Sequence, residues 1–237
     1  QLSSPKTADV AAATAAIDIL RSRKLTFRLA DAYLLRGRVY RGLGDRDRAE
    51  VDLTAAADAF ERVRSGQTEE QVRIDYAARG ADLYDTIIDF QVRERRRPDR
   101  GFDFAERGRA RALLDALGPE AIPPAQARSR RDLLPRGVAV VSYTLLPDRL
   151  LTWVFTWDGE HFSDTAIDTR RLATTVARFR QLIERNDSAF REPASALYEQ
   201  LIAPVAAHLS DIDAVVFLPH GVLHDVPFAA LVDRRDG

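Results

Sequence analysis

The chain has no cysteine and no methionine, only two tryptophans, and only two lysines, Lys6 and Lys24. Without a thiol these 237 residues can hold neither a disulfide framework nor a thiolate nucleophile. No apolar stretch approaches the roughly 18 residues that a membrane-spanning helix requires, and the opening residues lack the basic-then-apolar order of a signal peptide. The expectation is a soluble, cytoplasmic protein with no membrane partner. A chain that opens on Gln1 and carries no methionine does not read as a complete translated frame, so both ends are expected to be trimmed. All but two of the 35 basic residues are arginine, set against 36 acidic ones, for a formal net charge of −1. Dense charge of both signs implies a salt-bridged surface without long-range attraction to polyanions. A hydrophobic fraction of 46% is enough for a real core, and the length suits one large domain or two ordinary ones.

Residues 8–22 are alanine-rich and read as a helix. A second helix is expected from Arg28 to Arg41, carrying Leu29, Tyr33, Gly37 and Tyr40, then a turn at Gly42-Leu43-Gly44-Asp45. A third runs from about Arg46 to Arg64 with Ala49, Val51, Leu53, Ala56, Ala57 and Phe60. Small residues at Gly37, Ala49 and Ala56 would let the two helices approach closely, at the spacing of a tetratricopeptide (TPR) helix pair. A weaker second unit has Ala77, Ala81 and Tyr84 on one helix and Ala105, Leu113 and Leu114 on the next, joined by the arginine-rich segment Arg93 to Arg100. Glu94 and Asp99 dilute those arginines and no aromatic residues are interleaved for stacking, so a solvated loop is preferred over a nucleic-acid site. Residues 1–118 are therefore expected to be a short TPR-like solenoid, since repeat helix pairs bury their faces only by stacking on neighbours. In that register the concave, partner-binding face would show Asp31, Leu34, Arg38 and Arg41 to a protein or peptide.

Gly118-Pro119 and Ile122-Pro123-Pro124 end the last helix, and residues 119–136 read as a linker. From there the period changes. The runs Val138 to Leu145, Leu150 to Trp157 and His161 to Ile167 are rich in β-branched and aromatic residues, with Pro147-Asp148-Arg149 and Asp158-Gly159 as turns, and predict a three-stranded antiparallel meander. Leu172, Val176, Phe179, Leu182 and Ile183 mark an amphipathic helix. A second begins near Pro193 with Leu197, Leu201, Ile202, Val205 and Leu209 on its inner side. The apolar run Ala214 to Leu218 reads as a buried strand feeding a loop that holds two of the four histidines, His220 and His224. The predicted fold class is α plus α/β, with 137–237 the start of an α/β domain.

Three segments then carry a resemblance: Leu134-Pro-Arg-Gly-Val-Ala-Val-Val-Ser-Tyr143, Ala196-Leu-Tyr-Glu-Gln-Leu-Ile-Ala-Pro204 and Phe217-Leu-Pro-His-Gly-Val-Leu-His-Asp-Val-Pro-Phe-Ala-Ala-Leu231. Together they resemble the N-terminal part of a CHAT domain, a caspase-like module commonly attached to TPR arrays. The helix Ala105-Glu-Arg-Gly-Arg-Ala-Arg-Ala-Leu-Leu114 is similar to the one that precedes CHAT domains in such proteins. The resemblance implies a cysteine peptidase whose nucleophile and histidine base sit at the ends of two later strands. Here no cysteine is present and the histidine would lie past Gly237, so the chain should be inactive alone and should take the rest of the domain as its partner.

His220-Gly221 imitates a caspase-type base after an apolar strand, but by resemblance it belongs to the first core strand. It reads as a loop residue tying the strand end to its neighbours, and His220, Gly221 and His224 are counted as supports of an active site. His161 and His208 are isolated in sequence; no metal or cofactor is expected from four scattered histidines. Glu106 and Arg109, three apart, and Arg111 and Asp115, four apart, share helix faces and are either surface ion pairs or the coupler between the two regions. Beside the peptidase reading stand a pseudoenzyme or scaffold with a non-catalytic CHAT layer, and an interaction protein with only an architectural likeness.

Overall fold

The computed structural model describes residues 7–64, 70–117 and 134–233. The chain divides into two compact units, Gln1–Pro124 and Ala125–Gly237. The first holds helices α1 (Thr7–Ser22), α2 (Leu29–Gly42), α3 (Arg46–Arg64), α4 (Glu70–Arg93) and α5 (Pro98–Leu117). Asp45 starts α3 by accepting the Arg48 amide proton at 3.1 Å, a side-chain cap on donors the helix leaves unpaired. Helices α2 and α3 pack as a hairpin because Gly37 leaves no side chain between them: a Cβ there would lie 3.0 Å from the Leu53 side chain. Ala49, Leu53, Ala56, Ala57 and Phe60 line the buried stripe of α3 at helical spacing. Val51 is out of that register and is 68% exposed, so it is no part of the core.

A polar lock holds the first three helices. Asp52 is almost fully buried and accepts hydrogen bonds from Arg36 Nε and Nη2 at 2.7 and 2.8 Å, while Arg36 Nη1 donates to Thr14 Oγ1 at 3.0 Å. Such a two-pronged pair supplies direction as well as attraction. Further along, Glu61 receives Tyr84 Oη at 2.6 Å and Arg107 Nε at 2.8 Å, and Asp58 receives Arg107 Nη2 at 2.7 Å, joining α3, α4 and α5. The arginine-rich join is not a free solvated loop. Arg95 and Arg97 reach back to Asp47 and Glu50 on α3 at 2.8 and 2.9 Å. The four helices of the two hairpins have 14, 19, 24 and 20 residues, so the hairpins differ in length.

The second unit contains β1 (Val138–Leu146), β2 (Arg149–Phe155), β3 (Glu160–Ala166), α6 (Thr169–Glu184), α7 (Arg191–Leu201) and β4 (Ala214–Leu218). The sheet order is β3-β2-β1-β4: an antiparallel meander, with β4 added parallel to β1 after the helical crossover. Asp168 caps α6, accepting the amide protons of Arg170 and Arg171 at 3.0 Å. Leu172, Val176 and Phe179 of α6 and Leu197 and Leu201 of α7 bury against Ala139, Val141, Tyr143, Leu150 and Val154. The strand β4 is less buried than its apolar composition predicts. Ala214 is exposed and Val216 is 48% exposed, because β4 is the last strand on its side among the described residues.

The helix expected to continue to Leu209 stops at Leu201. Pro204 has no amide proton, and beyond Leu201 the chain tightens into a 3-10 turn, Ala203–His208, in which the Val205 amide bonds to Ile202 O at 2.9 Å instead of reaching back to Leu201. The Leu201 carbonyl so released accepts the Tyr143 hydroxyl at 3.0 Å, deep in the core. Replacing Tyr143 by Phe keeps the ring and leaves that carbonyl unpaired; the expected loss is about 1–2 kcal/mol in a urea denaturation curve.

Candidate functional site

The loop after β4 is held from three sides. The last pairing of β4 sets Leu218 opposite Ser142, and β1 runs on past it. His220 takes over where the strand stops: its Nδ1 accepts the Leu145 amide proton at 3.1 Å. The ring thereby caps a backbone donor on the side of β1 that β4 no longer covers. A nitrogen that accepts must be unprotonated, so in the neutral imidazole the proton sits on Nε2 and that atom can only donate. The ring offers a hydrogen-bond donor, not a base. Gly221 follows with φ +57°, a left-handed turn that directs the chain into the 3-10 segment Gly221–Asp225. A Cβ at Gly221 would find room, its nearest neighbour being Leu145 Cδ2 at 3.8 Å, so the glycine serves backbone conformation rather than space.

From there Leu223 and Val226 insert into the core and His224, between them, turns to solvent. Asp225 meets Arg180 of α6 at 2.9 Å, both exposed, a contact of small energetic weight. The end of the loop is anchored by rings. Phe217 and Phe228 stack with centroids 4.2 Å apart, and Tyr143 lies 5.8 Å from Phe228 and 6.4 Å from Phe217. Burial pushes the Tyr143 hydroxyl well above its ordinary titration range, so it remains a donor at all working pH values. Residue type alone does not single out Tyr143 or Phe228. Their signal was present only as an aromatic on the inward parity of β1 and another after a proline.

The residues of the expected partner face differ in exposure and pairing. Asp31 is exposed, 3.7 Å from Arg28. Leu34 is buried at 9% exposure, and the apolar side chain turned outward is its neighbour Leu35, at 57%. Arg38 donates to both Asp82 oxygens at 2.8 Å and to Thr86 at 2.7 Å, and Arg41 pairs with Asp89 at 2.5 Å and with Glu94. The two arginines therefore bridge α2 to α4. Glu106 and Arg109 pair within α5 as their spacing predicts. The side chains of Arg111 and Asp115 lie outside the described residues. Arg107, between Glu106 and Arg109 in sequence, crosses to α3.

Asp85 sits on α4 between Asp82 and Asp89, and burial together with those two carboxylates raises its pKa to about 6. A carboxyl with a folded-state value above its unfolded one favours folding when protonated, and that contribution is lost as pH rises from about 4 to about 6. Asp85→Asn is expected to raise stability at pH 7.5 by on the order of 2 kcal/mol and to leave it unchanged near pH 3.5, read from urea midpoints.

His161 and His208, distant in sequence, are brought together with ring centroids 3.5 Å apart and planes inclined by 11°. Among the described residues no group of three or more His, Asp or Glu side chains is placed to hold a metal ion, and no helix is long and apolar enough to cross a membrane.

Comparison with protein-family models matches the CHAT domain over residues 191–237. The matched segment takes in α7, the Ala203–His208 turn, β4 and the loop with His220, Gly221 and His224. No curated protein matches the chain.

Removing the cap tests its weight. His220→Ala is expected to cost about 1–3 kcal/mol and to speed amide exchange at Leu145 selectively, measured by denaturation and by NMR hydrogen exchange.

Proposed function

We propose that this chain is the N-terminal portion of a TPR-CHAT protein of the caspase-like cysteine peptidase class, in which the helical unit receives a protein partner and the β-containing unit begins the peptidase layer. The observation that carries the reading is the CHAT match falling on a parallel strand and the structured loop that follows it, behind two helical hairpins. In this reading β4 and the His220 loop are scaffold for a site whose cysteine and histidine come from residues past 237. Gly221 and the capped His220 hold the loop's path, and His224, like its neighbour Asp225, faces outward. The partner surface centres on Asp31, Leu35 and Arg38 of α2, with Leu35 replacing the buried Leu34 and Arg41 tied into the seam with α4. Helix α5, with Glu106, Arg109, Arg111 and Asp115, precedes the linker and is the coupling element.

A second reading is a folded docking module without chemistry of its own, which the use of His220 Nδ1 to cap a backbone amide favours. The two readings separate on the polypeptide extended beyond residue 237. As a peptidase, it cleaves a protein substrate and loses that activity on thiol alkylation or on Cys→Ala at its own cysteine, while the 237-residue chain shows no thiol-dependent cleavage. An extended chain without a cysteine, or one whose cleavage survives alkylation, overturns the peptidase reading and leaves the scaffold.

A further inference from the structure

The Ala203–His208 turn packs against β3, the outermost strand of the meander. Its one titratable side chain, His208, lies flat against His161 of β3, the rings nearly parallel at 3.5 Å. Two neutral imidazoles stack favourably at that distance, whereas two imidazolium rings put like charges face to face. We propose that the His161–His208 stack is a proton-operated latch that fastens the turn between α7 and β4 onto the edge of the sheet, closed when both rings are neutral and opened when both are charged.

The charges around the pair do not cancel this effect. Asp158, in the β2–β3 turn, is the one carboxylate with a resolved influence on His208, favouring its charged form. It can offset a single imidazolium, not two. On β3, Glu160 precedes His161 and by alternation points to the opposite face, Asp164 is held by Arg149 at 2.7 Å, and Ser163 and Thr165, on the same parity as His161, are neutral. On β2, Arg149 stands at the far end, opposite Ala166, while Val154 is the residue paired with His161. Beyond the turn the next charged residue is Asp211, exposed. Consistent with the geometry, His208 is held below the ordinary histidine range, first by desolvation and then by His161. A histidine whose folded value is lowered binds fewer protons than the unfolded chain, so the stability it contributes is complete above about pH 6.5 and is lost as pH falls below it.

Two unit charges 3.5 Å apart in watery surroundings shift an equilibrium by roughly tenfold. After correction for the intrinsic pH dependence of exchange, amides of Glu160–Ala166 and of residues 205–213 are therefore expected to exchange roughly tenfold faster at pH 5 than at pH 7. His161→Phe and His208→Phe keep a flat ring at the contact and remove one charge. In either variant the acceleration should vanish, and in His161→Phe the His208 ring protons should titrate at a higher midpoint. Urea midpoints at pH 7 confirm that each variant is folded. Equal protection of the wild-type chain at both pH values, or acceleration that persists in both Phe variants, overturns the latch. Neither result bears on the peptidase reading, which is decided by thiol chemistry beyond residue 237.

Discussion

The hydrogen bond from Tyr143 to the Leu201 carbonyl is the contact on which the second unit is assembled. It exists because Pro204 denies α7 another turn and the tightened chain leaves a buried acceptor with no helical donor. A phenol rising from the inward face of β1 is long enough to satisfy it while its ring stays in the core. The same ring faces Phe217 and Phe228, so one side chain ties the central strand to the end of α7, to β4 and to the segment after the loop. Sheet, crossover helix and loop share a single buried junction.

The candidate loop inherits its shape from that junction. With Phe228 fixed at one end and His220 fixed to the Leu145 amide at the other, the residues between have little freedom, and the left-handed Gly221 sets the direction in which they leave the strand. Capping by Nδ1 decides what the histidine can do: it makes the ring a donor through Nε2 and removes it as a proton acceptor. A His-Gly pair after an apolar strand looks the same in sequence whether the ring is a base or a cap. The bond to a backbone amide of a strand 75 residues earlier distinguishes the two, and no local pattern contains it.

In the helical unit, charge does what the apolar pattern leaves undone. Arg36 and Asp52 lock α1, α2 and α3; Arg38 and Arg41 bridge α2 to α4; Arg107 fastens α5 to α3. Near-equal numbers of acidic and arginine residues foretold a salt-bridged protein, but not which pairs would be internal. Long guanidinium arms reach partners on other helices, and the carboxylate they find depends on helix crossing rather than on spacing. The misplacement of Leu34 has a related cause. Two adjacent leucines differ by about a hundred degrees around the helix, and which one faces inward is set by the neighbours α1 and α3.

Sequence by itself determined the element types and most of their limits: the helices of the first half, the turn at Asp45 and the three-strand meander. These follow from local physics, the 3.6- and 2-residue periods, caps and the missing proline donor, which act within a few residues. Residues 134–231 also carried the CHAT resemblance, and the family match falls within that stretch and its continuation. Only the tertiary structure decided that β4 is a half-exposed edge, that His220 is a cap, and that His161 meets His208. Each depends on atoms from separate segments arriving at one place. Burial and pairing are properties of that arrival, and a one-dimensional pattern does not encode distance between segments.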